Sequence, residues 1–368
     1  MPTANDDVLI PATLPGDTHG YPIRNLNQST TPAVCNSIEI ENGATLTVDN
    51  YPITISGSIG AWINNGTFVP GTGTVTFNHN NQSEIVTLGG TTNFYNLNFG
   101  ANTVMRPNNG MYIGIGGNLT DDGSSVLEFS SSTNTVEFKG ENQLIPNPTA
   151  LGNLRGYYHL TLSGSGASTL QNQLNISGNL TINTTVDGTT NNTTLICEGT
   201  SAQTISGTSA LALGSMTINN ASGVTASTNL ALSGTLTFIT DNPTTNDKGA
   251  LAMSTDKILD LGADATITGP GDVSGIVRRS HTFSTGTFYA FSNENNGLIF
   301  AAVSGYPGQT LPSSVSLKAN IGTAPNWSSY LGATLTNPIK RNWEIIQTGG
   351  SGTRALMRVH YRDNEIQG

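Results

Sequence analysis

The acidic pair in Thr120-Asp121-Asp122-Gly123 is the strongest candidate for catalysis in this sequence, with Arg155 and His159 as the available partners. Two polysaccharide chemistries would use such groups. A lyase needs a base to remove the proton α to a carboxylate, beside an acidic cluster that binds calcium. A glycosidase needs two carboxylates about 5 to 9 Å apart across the scissile bond. Local geometry argues against both. Adjacent residues of a strand point to opposite faces. Asp-Asp-Gly also reads as a turn, with Asp as the cap and Gly supplying positive φ. No catalytic residue is assigned, and the chain is expected not to be an enzyme. Asp6-Asp7 has the same turn or edge reading, ahead of weak calcium binding.

Binding without catalysis has a different signature. Phe94-Tyr95 and Tyr157-Tyr158 stand just before Leu97 and Leu160. Alternation counted back from those leucines turns Tyr95 and Tyr158 inward and leaves Phe94 and Tyr157 facing out. Outward rings can stack on sugars, so Phe94 and Tyr157 are the candidate carbohydrate-binding residues. The third copy has Leu213-Gly214 there, so the pair is not a full ladder. Thr74/Thr76 and Thr235/Thr237 raise ice binding, which needs a flat Thr array on every coil, and these recur only once per long repeat. Asn179-Leu180-Thr181 matches a glycosylation triplet of a kind that a chain rich in Asn and Thr contains by chance. Cys35 and Cys197 are 162 residues apart. No CxxC or His-rich spacing marks a metal site, and no motif calls for a cofactor.

The elements that must position these residues follow from composition and repeats. Among 368 residues are 52 Thr, 43 Gly, 41 Asn and 33 Ser, nearly half the chain, a mix that disfavours helix and supplies turns. Only 10% of residues are charged, and the net charge of −10 argues against nucleic acid as a partner. No apolar run is long enough for a membrane helix, so membrane insertion is not expected. Of the fourteen Lys and Arg, only Arg24, Arg106, Lys139 and Arg155 precede residue 240.

Three patterns recur in one order. The first is Ile55-Ser56-Gly57-Ser58-Ile59, repeated as Ile115-Gly116-Gly117-Asn118-Leu119, Ile176-Ser177-Gly178-Asn179-Leu180 and Leu232-Ser233-Gly234-Thr235-Leu236, at spacings of 60, 61 and 56 residues. The second is Thr74 to Phe77, then Thr135 to Phe138, then Thr194 to Cys197. The third is Asn96 to Phe99, His159 to Leu162 and Ser215 to Ile218, with Ser37 to Ile40 as its first copy. Each copy alternates polar and apolar over four to six residues, and Gly, Asn-Asn or Asp-Gly follows. Strands this short and numerous predict an all-β parallel β-helix, with coils of about 20 residues and three coils per sequence repeat. Cys197 takes the inward position of Phe77 and Phe138, and His159 points outward.

After Gly269-Pro270-Gly271 the pattern changes to longer alternating strands: Gly275 to Arg279, Gly286 to Ser292, Leu298 to Val303, Ser314 to Lys318, Arg341 to Gln347 and Arg354 to Tyr361. The expected organisation is a β-solenoid over residues 1–268 and a C-terminal antiparallel sheet or sandwich over 269–368 that caps it. Arg278, Arg279, Trp343, Arg354, Arg358 and Arg362 belong to this cap, and Tyr361 to Ile366 still reads as structured.

The opening Pro2-Thr3-Ala4-Asn5-Asp6-Asp7-Val8-Leu9-Ile10-Pro11 with Ile38 to Val48 resembles the start of the β-helical repeat region of large bacterial surface proteins. Thr-Val-x-Phe-x-Gly-x-x-Gln and Gly-Asn-Leu-Thr-Ile segments recur in that group. Gly275 to Arg279, followed by Thr285 to Phe288, is similar to the segment that closes such a region. The resemblance implies a secreted or surface-anchored protein, often type IX-exported, with a stalk or adhesin role and no shared catalytic residues. Met1 runs directly into Pro2 without a signal-peptide pattern, so the expectation is a segment of a longer secreted chain. The expected function is an extracellular structural or adhesive protein: a stalk, a surface-layer component or a filament subunit that associates end to end. The alternative is a carbohydrate-binding module or a polysaccharide-degrading β-helix enzyme.

Overall fold

The computed structural model describes residues 2–13, 32–148, 156–239, 249–302, 307–321 and 341–360. Arg155, Arg362 and the expected segment from Tyr361 to Ile366 lie outside the described residues. Within them are 37 strands and no helix. The chain divides into two compact units, residues 1–187 and 188–368. Both wind as parallel β-solenoids, with about ten turns between them.

Each turn of the first unit has three sides. Side one stacks β1 (Asp7–Ile10), β3 (Ser37–Ile40), β6 (Trp62–Asn64), the first half of β9 (Ile85–Phe94) and β11 (Val104–Pro107). Side two holds the second half of β9, β12 (Tyr112–Ile115), β15 (Thr135–Phe138), β17 (His159–Leu162) and β20 (Leu180–Ile182). Side three stacks β5 (Ile53–Ile55), β8 (Thr74–Phe77), β10 (Asn96–Phe99) and β13 (Leu119–Asp121). Parallel register puts like on like. Val75 pairs with Leu97 and Leu97 with Leu119, and all three are buried. Burying a side chain of this size contributes roughly 1.5–3 kcal/mol. The rings stack as well: Phe77 lies on Phe99 at 5.6 Å between centroids, and Phe129 on Tyr157 at 5.7 Å.

The repeat and the turn do not coincide. Partners such as Val75, Leu97 and Leu119 are 22 residues apart, so three whole turns exceed the sequence repeat. The third pattern accordingly appears on side one as β3, on side three as β10 and on side two as β17. Each copy spans eight sides, not nine, when β9 is counted as two and the bridge of Tyr157 to Ile176 as one. Three coils per repeat is thus corrected to two and two-thirds.

The second unit repeats the plan. One ladder is β22 (Thr194–Cys197), β25 (Ser215–Ile218), β28 (Thr235–Phe238) and β31 (Thr266–Thr268). Another is β26 (Val224–Ala226) with β29 (Ala250–Met253), and a third is β27 (Leu230–Leu232) with β30 (Ile258–Leu261). The solenoid passes into the cap through β32 (Asp272–Arg279). Its first residues pair parallel with β29, and Ile276 to Arg279 pair parallel with β30. The bend between them is at Gly275, whose φ of +93° suits glycine alone.

The other edge of β32 starts the expected antiparallel sheet, with β35 (Ser314–Ile321) and then β36 (Arg341–Thr348). A second sheet joins β33 (Phe288–Ala290), β34 (Gly297–Phe300) and β37 (Ala355–Arg358). Arg279, 2% exposed, ties the two parts of this unit together. It donates to the carbonyls of Gly262 and Ala265 in the last solenoid turn and of Ala290 in the cap, at 2.8–3.0 Å.

Candidate functional site

The corner within each copy of the first pattern is built one way throughout. Ser56, Gly116, Ser177 and Ser233 donate their N–H to the carbonyls of Cys35, Phe94, Tyr157 and Leu213. The glycines that follow, Gly57, Gly117, Gly178 and Gly234, donate to Asn36, Tyr95, Tyr158 and Gly214. The chain comes so close here that a Cβ on Gly117 would sit 2.3 Å from Asn96 Oδ1, and one on Gly57 2.4 Å from the Asn36 carbonyl. The next N–H finds a side chain on the preceding turn. Asn118 donates to Asn96 Oδ1, Asn179 to His159 Nδ1 and Thr235 to Ser215 Oγ, at 2.9–3.0 Å. His159 is therefore a hydrogen-bond acceptor of the corner, and partial burial lowers its pKa.

This geometry overturns the orientation expected for the candidate carbohydrate-binding residues. Phe94 is 1% exposed and Tyr157 0%. Counting back from Leu97 assumes a continuous strand, but the chain turns a corner at Tyr95. Phe94 ends β9 facing inward, in register with Ile115. Tyr157 bridges Ile176 in the same way and donates its hydroxyl to the Pro146 carbonyl at 2.8 Å. The rings that reach the surface are Tyr95 and Tyr158, each packed on a corner glycine of the next turn. They sit at different corners, because successive copies step back by one side, and so form no common platform.

Asp121 ends β13 and Asp122 opens the turn after it. Asp121 Oδ1 accepts from Gly123 N at 2.6 Å, and Asp122 Oδ1 from the N–H and hydroxyl of Ser124. His159 lies on side two and this turn ends a side-three strand, so the structure does not bring them together. Asp6 binds the N–H and hydroxyl of Thr3, which lower its pKa. Asp7 accepts from Ser37 and Asn36, with the same effect.

Sequence reasoning missed a polar cluster on side two. The Glu137 carboxylate accepts from the hydroxyls of Tyr112 and Ser163, and the Lys139 ammonium donates to Asn93 Oδ1. Burial, then the bond to Glu137, raises the Tyr112 pKa. The signal was available: Glu137 stands where the companion copies carry Thr76 and Ile196.

In the second unit, a cleft of about 330 Å³ lies between the last solenoid turn and the cap hairpin. Asp264, Thr266, Arg279, Thr287, Phe288 and Glu294 line it. Arg279 sits 5.8 Å from the rings of both Tyr289 and Phe291, and burial pushes its pKa down to about 10. Cys35 and Cys197 are buried free thiols whose pKa values burial pushes up to about 11 and about 12. Among the described residues no group of three or more His, Cys, Asp and Glu could hold a metal ion, and no helix is long and apolar enough to cross a membrane. Comparison with protein families, with curated proteins and with solved structures returns no match.

Proposed function

We propose that this chain is a non-catalytic structural module of an extracellular or surface protein, a stalk or filament subunit with an adhesive role. One observation carries the reading. The described groups that chemistry would recruit, namely Asp121, Asp122, His159 and Glu137, are engaged in hydrogen bonds that shape turns or join successive turns. Low charge, abundant Asn and Thr, and the resemblance of its repeats to surface-protein segments support an extracellular setting. The purified chain is expected to release no products from a panel of acidic and neutral polysaccharides. Turnover lost in Asp122→Asn or Glu137→Gln would overturn the non-catalytic reading. Antibody labelling of intact source cells tests the location.

The cleft favours a second reading, carbohydrate binding. It combines two aromatic side chains, Phe288 and Tyr289, with two carboxylates and the hydroxyls of Thr266 and Thr287, the mixture that orients a sugar. Binding on a glycan array that is lost in Phe288→Ala and Asp264→Ala would move the adhesive role to this cleft.

A further inference from the structure

We propose that Lys139 and Asn93 close an intramolecular isopeptide bond that staples three successive strands of side two. This rests on the reading of the chain as a structural module and names a covalent modification that stiffens it. Lys139 is the first lysine in the sequence, and the next is Lys248. Its side chain leaves β15 on the outer face and donates to Asn93 Oδ1 on β9. Strand β12 runs between the two, with Gly114 paired to Asn93 on one edge and to Glu137 on the other. The lysine therefore crosses a whole strand, and it crosses at the glycine. A Cβ on Gly114 would sit 3.1 Å from Lys139 Cε and 3.2 Å from Nζ, and would also collide with Asn93 Oδ1. Any larger residue there would close this path. Among the described residues no carboxylate pairs with the ammonium, whose partner is a neutral carboxamide.

An amine held against a carboxamide is one acyl transfer away from an amide. Unprotonated Nζ attacks Asn93 Cγ as a nucleophile. The Nζ–Cγ bond forms, the Cγ–Nδ2 bond breaks, and Nδ2 leaves as ammonia. The attacking nitrogen gives up one proton and the departing nitrogen takes one up, so the step balances without oxidant or cofactor. Glu137 carries that proton. It projects from the same face two residues before Lys139, in register with Gly114, and the hydroxyls of Tyr112 and Ser163 hold its carboxylate. The companion copies carry Thr76 and Asn78, or Ile196 and Glu198, at these two positions, so the reactive set is peculiar to this turn. Contact supplies much of the rate, because well-oriented groups react as though at concentrations on the order of 100,000 M or more. The product joins residues 46 apart and ties β9 to β15 over β12, which restricts the unfolded chain.

Intact-mass spectrometry of the purified full chain tests this. The unmodified protein is expected to weigh about 17 Da less than its sequence, the mass of one ammonia. The deficit should be complete on purification or grow during incubation at about pH 9, where more of the amine is unprotonated. Cleavage after glutamate should then release residues 85–128 joined to residues 138–141. Lys139→Arg keeps the charge and the reach but supplies no amine for acylation. That variant and Asn93→Ala should each show the full sequence mass, and Lys139→Arg should melt at a lower temperature with unchanged circular dichroism. Glu137→Gln should be linked to less than about a tenth of the extent of the unmodified protein. Full linkage in Glu137→Gln would overturn the part given to that carboxylate. An unmodified protein that keeps its full mass after incubation at about pH 9, or a deficit that persists in Lys139→Arg, would overturn the bond itself. The polysaccharide assays and the labelling of source cells read neither mass nor linkage, so the proposed function stands or falls separately.

Discussion

Phe94 and Tyr157 show what one corner residue decides. Both rings fill the interior: Phe94 lies 5.2 Å from Trp62, and Tyr157 lies on Phe129. Truncation should therefore cost stability. Phe94→Ala and Tyr157→Ala are each expected to lower the unfolding free energy by about 3–5 kcal/mol, whereas Tyr95→Ala should cost under about 1 kcal/mol, as read from denaturant titrations. A Phe94→Ala protein of unaltered stability would return that ring to the surface. His159 makes a pH-dependent contribution of definite sign. Its Nδ1 accepts the Asn179 N–H at 2.9 Å, which requires that nitrogen unprotonated, and burial holds its pKa below the ordinary 6.5. A group whose folded pKa is depressed binds fewer protons folded than unfolded, so stability is present above about pH 6.5 and declines as pH falls below it. His159→Asn, which supplies the amide oxygen found at Asn96, should remove that part of the decline while preserving stability at pH 8. A pH profile identical to that of the unmodified protein would show that this imidazole does not sense the titration.

At the scale of elements, the corner glycines are the constraint most legible in the sequence, although their reason is visible only in three dimensions. The third position of Ile-Ser-Gly-Ser-Ile recurs as Gly57, Gly117, Gly178 and Gly234 because the preceding turn crosses that spot, with heavy atoms 2.3–2.8 Å from where a Cβ would be. Gly117→Ala should accordingly cost about 1–3 kcal/mol through displaced packing. The same change at Ser56, which donates only its N–H and a surface hydroxyl here, should cost less. Thermal melts of the two variants compare them directly, and equal melting temperatures would mean that the corner relaxes freely. The strands themselves were equally readable, since alternation over four residues states which side chains point inward. The corners were not, because parity says nothing about where a strand stops. That is why the orientation of Phe94 and Tyr157 was inverted while their neighbours Leu97 and Leu160 were placed correctly in the core. The Glu137 cluster was hidden for a related reason. Tyr112 and Ser163 lie 25 and 26 residues from it, a distance that the winding of the turn alone makes short.

For the molecule as a whole, the mismatch between repeat and turn carries a consequence for how it tolerates length change. A pattern that appears on sides one, three and two as β3, β10 and β17 does not encode a side; it encodes only the neighbours above and below. Solenoid stability is to a first approximation a sum of such nearest-neighbour terms. Deleting residues 96–158 joins Tyr95 to His159, a junction that reproduces the native Tyr158-His159 pair. It also sets His159 to Leu162 on Thr74 to Phe77, where Asn96 to Phe99 now lie. Leu160 and Leu162 would then take the inward positions of Leu97 and Phe99, and every later turn would rotate by one side. The shortened chain is expected to keep its β-type circular dichroism and a single cooperative melt within a few degrees of the full-length protein. A deletion that abolishes the strand signal would show that the sides are not interchangeable. The determinant would then be the side-specific interior, foremost the stack of Phe77 on Phe99 and of Phe129 on Tyr157, of which the deletion leaves only Phe77.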